Sequence, residues 1–543
     1  MKTCTKNQYN YKTTEKFSIC SKLVAAIVVL FLSAVGTPAG AGEIDVEKKI
    51  NHWVQIYIEG AAEPQIEADA PDSAHLQSNA SDGQLIVEGK WLDLAKKYDN
   101  RYVSGDIANA PSPQRLAQWW NSLGDEDLTE LVHLCLQNNR DLAAARARLT
   151  EARAALGIGK ANLLPWLDSV NTWTNTDTSK NSTSAGGSAN IYRLGVDASW
   201  EIDVFGGQRE NIKASEASLL ATHAELHSAW VSLSSEVALN YLSLRTLQQR
   251  LNIAGQNLDL QMDTLEMLQS QFDSGLADAL ALNQAKYTVE QTKATIPPLR
   301  ASIETAMNAL AILTGVAPGS LEEKLSKPMP IPQADPVNLV GIPAETIRRR
   351  PDIRSAEMQL LAQTARKKSA KADLYPKFHL VGSIGIESLS TGSLFSSDSY
   401  GFSIGPKISW PIFHGGAIRK NIQVQGAREE QLLAAYEGTV LNAVAEVRDA
   451  LANEVQERER NQSLQRGVEA ARAAVQVAED KYRNGLIDFN NVIGAQTALL
   501  SLQDQHVISE GQMTTNIVQV FKVLGGGWAP LDEELLAAAV NSK

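Results

Sequence analysis

The sequence predicts an α+β membrane protein built as an internal tandem repeat, each chain giving four membrane-crossing strands and two pairs of very long helices. Three observations lead there. Landmarks recur at an offset of 210 or 211 residues, two segments in each half alternate apolar and polar side chains, and each half holds a proline-free stretch of 66 or 67 residues. Four strands per chain cannot close a barrel, so the prediction includes an oligomer.

Composition sets the outer bounds. The 543 residues are 44% hydrophobic and 21% charged, with 36 Gly and 19 Pro, which is a globular balance. Fifty Lys and Arg against 62 Asp and Glu leave a net charge of −12, which argues against nucleic acid as a partner, since phosphate binding wants a basic face. Cys4, Cys20 and Cys135 have no zinc-site or disulfide-framework spacing. The only long apolar run, Leu23–Gly36, has 14 residues, whereas a spanning helix needs about 20. A protein of many membrane helices is therefore excluded. Lys2, Lys6, Lys12, Lys16 and Lys22 precede that run and Ala39-Gly40-Ala41 follows it, the pattern of a secretory signal over residues 1–41. Its removal takes the net charge to −16 and leaves Cys135 as the sole thiol.

The repeat is read from landmarks in order. Asn139-Arg140-Asp141-Leu142 matches Arg350-Pro351-Asp352-Ile353, and Ala161–Pro165 matches Ala372–Pro376. Trp200 matches Trp410, Phe205-Gly206-Gly207 resembles Phe413-His414-Gly415-Gly416, and Gln271–Leu276 matches Lys481–Leu486. This divides the chain into an acidic, Pro-rich extended arm (42–115), repeat 1 (116–317), a linker (318–335), repeat 2 (336–528) and a tail (529–543).

Each repeat opens with a helix closed by proline: about Glu126–Asn162 before Pro165, and about Ala344–Leu374 before Pro376. Strand pairs follow. Weakly alternating strands are expected at Trp166–Asp177 and Lys377–Ser388. In the next strand of repeat 1, Tyr192, Leu194, Val196, Trp200 and Ile202 form one face, against Arg193, Asp197, Glu201 and Asp203 on the other. In repeat 2 the apolar face is Tyr400, Phe402, Ile404, Ile408 and Trp410. Such alternation with aromatics at the ends fits a tilted lipid-spanning strand of ~9–11 residues; a half-buried soluble strand is the other reading. Helices over Gln208–Asp273 and Ala417–Arg483 would each be roughly 100 Å long. Turn glycines Gly275 and Gly485 reverse them into return helices over Ala279–Leu313 and Asn491–Leu524, the first interrupted and kinked by Pro297-Pro298. Strands in multiples of four then close into a homo-oligomeric barrel that continues into a hollow tube of helices.

Several stretches are similar to one known family: RRRPDIRSAEMQLLAQTARKKSAKADLYPKFHLVGSIG, WEIDVFGGQ, SEVALNYLSLR and KYRNGLIDFNNVIGAQ, with LTG at 313–315 and the Pro297 pair in family-like positions. The chain resembles the TolC-type outer-membrane factors, NodT-like branch, over about residues 115–528. The resemblance implies a homotrimer with a twelve-stranded barrel in outer-membrane lipid and a twelve-helix periplasmic tunnel. It also implies a periplasmic adaptor and an inner-membrane resistance-nodulation-division pump as partners, and a duct that does no chemistry and holds no cofactor or metal. Adaptor contacts carry over to the hairpin tips: Phe272, Ser274, Gly275, Leu276 and Asp278, and Tyr482, Asn484, Gly485 and Leu486. Many members place an aspartate at the periplasmic constriction, nine residues after the second turn glycine; here that position is Gly494, with Asn490 and Asn491 nearby and Asp488 the nearest carboxylate. The entrance is thus expected to lack the usual carboxylate ring. The branch's lipid-anchor cysteine is also missing, so attachment is expected to rest on the barrel.

The other chemical patterns have plainer readings. His223 and His227 flank Glu225, but the order is not the metalloprotease one, and they read as a helix face. Gly157–Lys160 is too short for a phosphate loop, and Gly525–Gly527 reads as a helix cap. Arg348–Arg350 reads as a solvated helix start, and Asp197, Glu201 and Asp203 as lumen-facing. The competing functions are a duct for type I protein secretion and a periplasmic coiled-coil scaffold or adaptor. No acid–base or nucleophile constellation supports an enzyme.

Overall fold

The computed structural model describes residues 116–177, 187–333 and 349–527. The export signal, the arm over 42–115, the end of the linker and the tail lie outside the described residues. A 3₁₀ turn, Trp119–Leu123, leads into α1 (Glu126–Asn138) and α2 (Arg140–Ala161). Then come β1 (Trp166–Asp177), β2 (Ser188–Ile202), α3 (Gly207–Asp273), α4 (Ala279–Leu313) and a helical turn at Glu322–Leu325. The second series is α5 (Pro351–Ala372), β3 (Lys377–Ser388), β4 (Tyr400–Ser409), α6 (Ala417–Arg483) and α7 (Phe489–Val523). α3 and α6 have 67 residues each, about 100 Å of helix, and α4 and α7 have 35 each. No helix among the described residues is long and apolar enough to cross a membrane.

Several boundaries differ from the sequence reading, each for a local reason. The first helix is two helices, because Asn139 takes an extended ψ of 134° and caps the second. Its Oδ1 accepts from the amides of Asp141 (2.8 Å) and Leu142 (3.0 Å), while its Nδ2 donates to the Leu313 carbonyl (2.8 Å). α5 begins at Pro351, and the earlier part of the expected helix, 344–348, lies outside the described residues; proline suits the first helical position and forces the residue before it out of helix, and Arg350 sits at ψ 132°. α4 is not interrupted by Pro297-Pro298; both prolines are exposed, so the carbonyls they leave without donors face water. β2 stops at Ile202, before the expected Asp203, and β4 stops at Ser409, before the expected Trp410.

α3 is the spine, packed along α2, α4, α5 and α7, while α6 packs on α5 and α7. The main core gathers Trp119, Trp120, Leu128, Trp230, Tyr241 and Phe521, with Trp119 stacked on Phe521 at 5.6 Å. Beside it, the buried Arg245 donates to Asp127 (3.1 Å), Gln248 (2.9 Å) and the Lys327 carbonyl (2.9 Å), and lies 4.8 Å above the Tyr241 ring. A guanidinium can be buried only with such partners, and here it clamps α1 and the segment after α4 to α3. A second cluster centres on Ile353, Leu360, Tyr436 and Val440, and a third sits at the hairpin tips.

Candidate channel wall and entrance

The four strands form one antiparallel sheet in the order β1-β2-β3-β4. Residues directly opposite in such a sheet point to the same side. Leu194 pairs with Ile386, Val196 with Ile384, Trp200 with Leu380 and Ile202 with Phe378. Continuing outward, Ile386 meets Tyr400, Ile384 meets Phe402 and Phe378 meets Ile408. The residues assigned from sequence to a lipid face therefore share one side, joined by β3 side chains that the sequence reading left off that list. Trp410 lies just past the end of β4. Ile404 is 53% exposed and Ile408 64% exposed. The opposite side carries Arg193, Asp197, Glu201, His379, Glu387 and Lys407, with Arg193 paired to Asp197 at 2.6 Å. Of the three carboxylates expected there, Asp203 is instead drawn to the start of α3, accepting from the Arg209 amide (2.9 Å) and side chain (3.2 Å).

Aromatics mark both ends of the apolar side. Trp173 stacks on Tyr192 at 6.5 Å, and at the other end the Trp200 indole donates to the Leu163 carbonyl (2.8 Å). Trp410 makes the matching bond to Leu374 (3.1 Å). The eight residue steps from Tyr192 to Trp200 span about 26 Å of strand, or roughly 20 Å when tilted, close to the height of an outer-membrane apolar band.

The hairpin tips lie at the far ends of α3 and α6. Gly275 and Gly485 adopt positive φ, 73° and 71°, which a side chain would resist. Each closes the same pair of bonds: Leu276 to the Gln271 carbonyl (2.8 Å) and Leu486 to Lys481 (2.9 Å), with Gly275 to Phe272 (2.9 Å) and Gly485 to Tyr482 (2.8 Å). These turns leave Leu276 80% and Leu486 71% exposed, beside the exposed Phe272, Ser274 and Asn484. Tyr482 differs from the other tip residues. Its hydroxyl donates to Gln271 (3.1 Å), its ring lies 5.3 Å from Phe489, and burial raises its pKa.

At the start of α7, Phe489 and Val492 point into the tip cluster with Leu268 and Leu282. That rotation leaves Asn490, Asn491 and Gly494 on the exposed face, and Asn491 donates back to the Asp488 carbonyl (3.2 Å). A Cβ added at Gly494 meets nothing within 4 Å. Asp278 and Asp488 occupy the N-cap positions of α4 and α7 without side-chain capping bonds.

Sequence reasoning missed the ties between the two hairpins. Arg250 grips Asp504 with two bonds (2.7 and 3.1 Å), Asn257 donates to Gln503 (3.0 Å), and Gln496 donates to Thr264 (3.4 Å). It also missed a groove of about 930 Å³ between α3 and α4, lined by Met262, Glu266, Asp273, Lys286 and Glu290 among others. Arg350 is not a solvated helix start: it is buried, bonded to Asp352 (2.7 Å), Glu446 (2.7 Å) and the Val523 carbonyl (3.0 Å). Its match to Asn139, which reaches the equivalent Leu313 carbonyl, was the available signal. Gly157 and Gly159 lie inside α2, and Gly525 (φ 71°) caps α7. The His223 and His227 rings touch at 4.4 Å, and no group of three potential metal ligands occurs among the described residues.

A sheet apolar on one side and charged on the other, running straight into helices of about 100 Å, defines a membrane channel with a helical extension. The family profile for outer membrane efflux proteins matches residues 131–316 and 342–526. The chain belongs to that outer membrane efflux protein family. It is 30% identical over 408 residues to the solvent efflux pump outer membrane protein SrpC of Pseudomonas putida, covering 75% of this chain and 86% of that protein. It is 28% identical over 433 residues to the cation efflux system protein CusC of Escherichia coli, covering 78% and 91%. Among solved structures, the outer-membrane channel OprN superimposes with a TM-score of 0.74 at 34% identity, covering 79% of this chain and 98% of that one. The protein is an outer-membrane efflux channel with a periplasmic extension.

Proposed function

We propose that three copies assemble into a twelve-stranded barrel and a twelve-helix periplasmic tunnel, a passive duct that takes cargo from a resistance-nodulation-division pump through a periplasmic adaptor. One observation carries this reading: the sheet has an apolar side fit for lipid, yet among the described residues β1 and β4 are each paired on one side only. Open edges are not tolerated in lipid, so other copies must supply the missing neighbours. The second series of elements follows the first at 210 or 211 residues, which supports a tandem duplication with repeats over 116–317 and 336–528.

In this reading the exposed leucines of the tips, Leu276 and Leu486, meet the adaptor, and Asn490, Asn491 and Gly494 face the constriction. The polar links between the hairpins hold the entrance narrow. The duct performs no reaction; the pump supplies the work. SrpC is named for solvent and CusC for cations, so the shared fold goes with different cargoes and leaves this one open.

The test is extraction in mild detergent followed by native mass measurement, with conductance in a planar bilayer. A trimer that conducts is expected. Recovery as a non-conducting, water-soluble monomer refutes the reading.

A further inference from the structure

The charged side of the sheet is laid out in rows. Residues directly opposite one another on neighbouring strands point to one side at one height, with Cβ atoms about 5 Å apart. Arg193 of β2 faces Glu387 of β3, and Asp197 faces Asp168 of β1 and Ser383 of β3. Near the foot of the sheet, His379 of β3 faces Glu201 of β2 and Lys407 of β4. Glu201 lies just before the end of β2, His379 just after the start of β3 and Lys407 just before the end of β4, so this row stands where the strands give way to the helices.

Pairing sets this row apart. Asp197 is held by Arg193 (2.6 Å), Asp203 by Arg209 (3.2 Å) and Lys377 by Asp373 (3.0 Å). Glu201, His379 and Lys407 are neither buried nor engaged in a hydrogen bond or ion pair among the described residues. Their charges are presented to whatever fills the space on that side. Glu201 and Lys407 cancel, which leaves the sign of the row to the imidazole between them. Imidazole is the side chain whose ordinary titration changes its charge between pH 5 and 8. Of the described histidines, His379 alone lies in a strand.

We infer that the Glu201–His379–Lys407 row is a charge-selective ring of the duct, and that His379 sets its sign. This inference rests on the reading of the sheet as the wall of a three-copy duct, with its charged side toward the pore. The ring then holds three carboxylates and three ammonium groups, balanced while the imidazoles are neutral. Protonation adds three positive charges at one height and turns the ring toward anions, since rings of charged side chains select ions by sign. The charged groups around His379 are few. Glu201 faces it from β2 and Lys407 from β4; Asp203, just past β2, is tied to Arg209, and Lys377, two residues back on β3, is tied to Asp373 within reach of the Glu201 and Asp203 charges. The turn Ser397–Ser399, with Asp398, meets β3 only at its other end. At the periplasmic entrance, the exposed Asn490, Asn491 and Gly494 carry no charge and leave sorting by sign to other parts of the wall.

The test is the reversal potential of the intact channel in a planar bilayer under a potassium chloride gradient, at pH 8 and pH 5.5, with the native mass of each variant measured alongside. In the unaltered channel the permeability ratio of potassium to chloride is expected to fall on the order of threefold from pH 8 to pH 5.5. His379→Gln should remove most of that fall, and His379→Lys should give the low ratio already at pH 8. Lys407→Gln should raise the ratio at pH 8, which tests the ring even where a His379 variant fails to assemble. Conducting trimers in which His379→Gln keeps the whole fall overturn the inference, as does an unaltered channel with no fall. An unchanged ratio at pH 8 in both His379→Lys and Lys407→Gln places the row away from the pore and overturns it too. A non-conducting monomer overturns the duct reading, and the ring with it.

Discussion

Gly511 on α7 lies tightly against Thr246 on α3, and filling it has a calculable cost. A Cβ on Gly511 would overlap the Thr246 hydroxyl and lie 3.1 Å from Thr246 Cγ2 and 3.2 Å from its Cβ. Thr246 cannot simply turn away, because its hydroxyl donates to the Leu242 carbonyl (2.8 Å) on the same helix. Gly511→Ala therefore forces α7 away from α3 close to the Arg250–Asp504 pair. Overpacking costs about 1–3 kcal/mol, while replacing a mid-helix glycine by alanine returns about 1 kcal/mol. The net expectation is a loss of up to about 2 kcal/mol, read as a lower guanidinium midpoint of the detergent-solubilised protein. Thr246→Ala removes the two nearest atoms. In that background only the Cβ contact at 3.2 Å remains, so Gly511→Ala should cost clearly less than in the native background. A destabilisation of equal size in both backgrounds would show that the Thr246 contact is not the cause and refute the argument.

Three further outcomes follow from the same geometry. Gly494→Asp, at a site with room for a side chain, is expected to raise cation over anion permeability on the order of a few-fold in bilayers by adding a carboxylate from each copy; an unchanged reversal potential would place this position away from the pore. Burial pushes the Glu429 pKa up, but hydrogen bonds from Lys367 (2.5 Å) and Thr364 (2.8 Å), with the charges of Lys367 and Lys371, pull it net below its ordinary 4.5. Its stabilising share is present above that value and lost as pH falls through the lowered one, so Glu429→Gln should flatten the acid side of the stability profile, and an unaltered profile would count against the assignment. The Cys135 thiol, pushed up to about 12 by burial and then by the Glu236 charge, should resist maleimide at pH 8 until the protein is unfolded.

Much of the architecture was legible because its signals are periodic and repeated. Trp166–Asp177 and Lys377–Ser388 fall where read, as do Ala279–Leu313 and Ala417–Arg483. Alternation fixes which side of a strand a residue faces whatever its partners, so the apolar set from Tyr192 to Trp410 needed no structure to be grouped. The ends of elements were less legible where one side chain decides. Asn139 breaks the first helix by capping, and the Arg350-Pro351 dipeptide sets the start of α5.

Contacts between distant segments lay beyond sequence patterning. Nothing local to Arg350 shows that its guanidinium meets Glu446 and the Val523 carbonyl, or that Tyr482 reaches Gln271 in the other hairpin. A long charged or polar side chain looks the same in sequence whether water or a buried carboxylate receives it, and only the packing of α6 and α7 against the rest of the chain decides which. Periodicity along the chain determines faces and lengths; the energy that orients a buried polar group depends on neighbours brought together from hundreds of residues away.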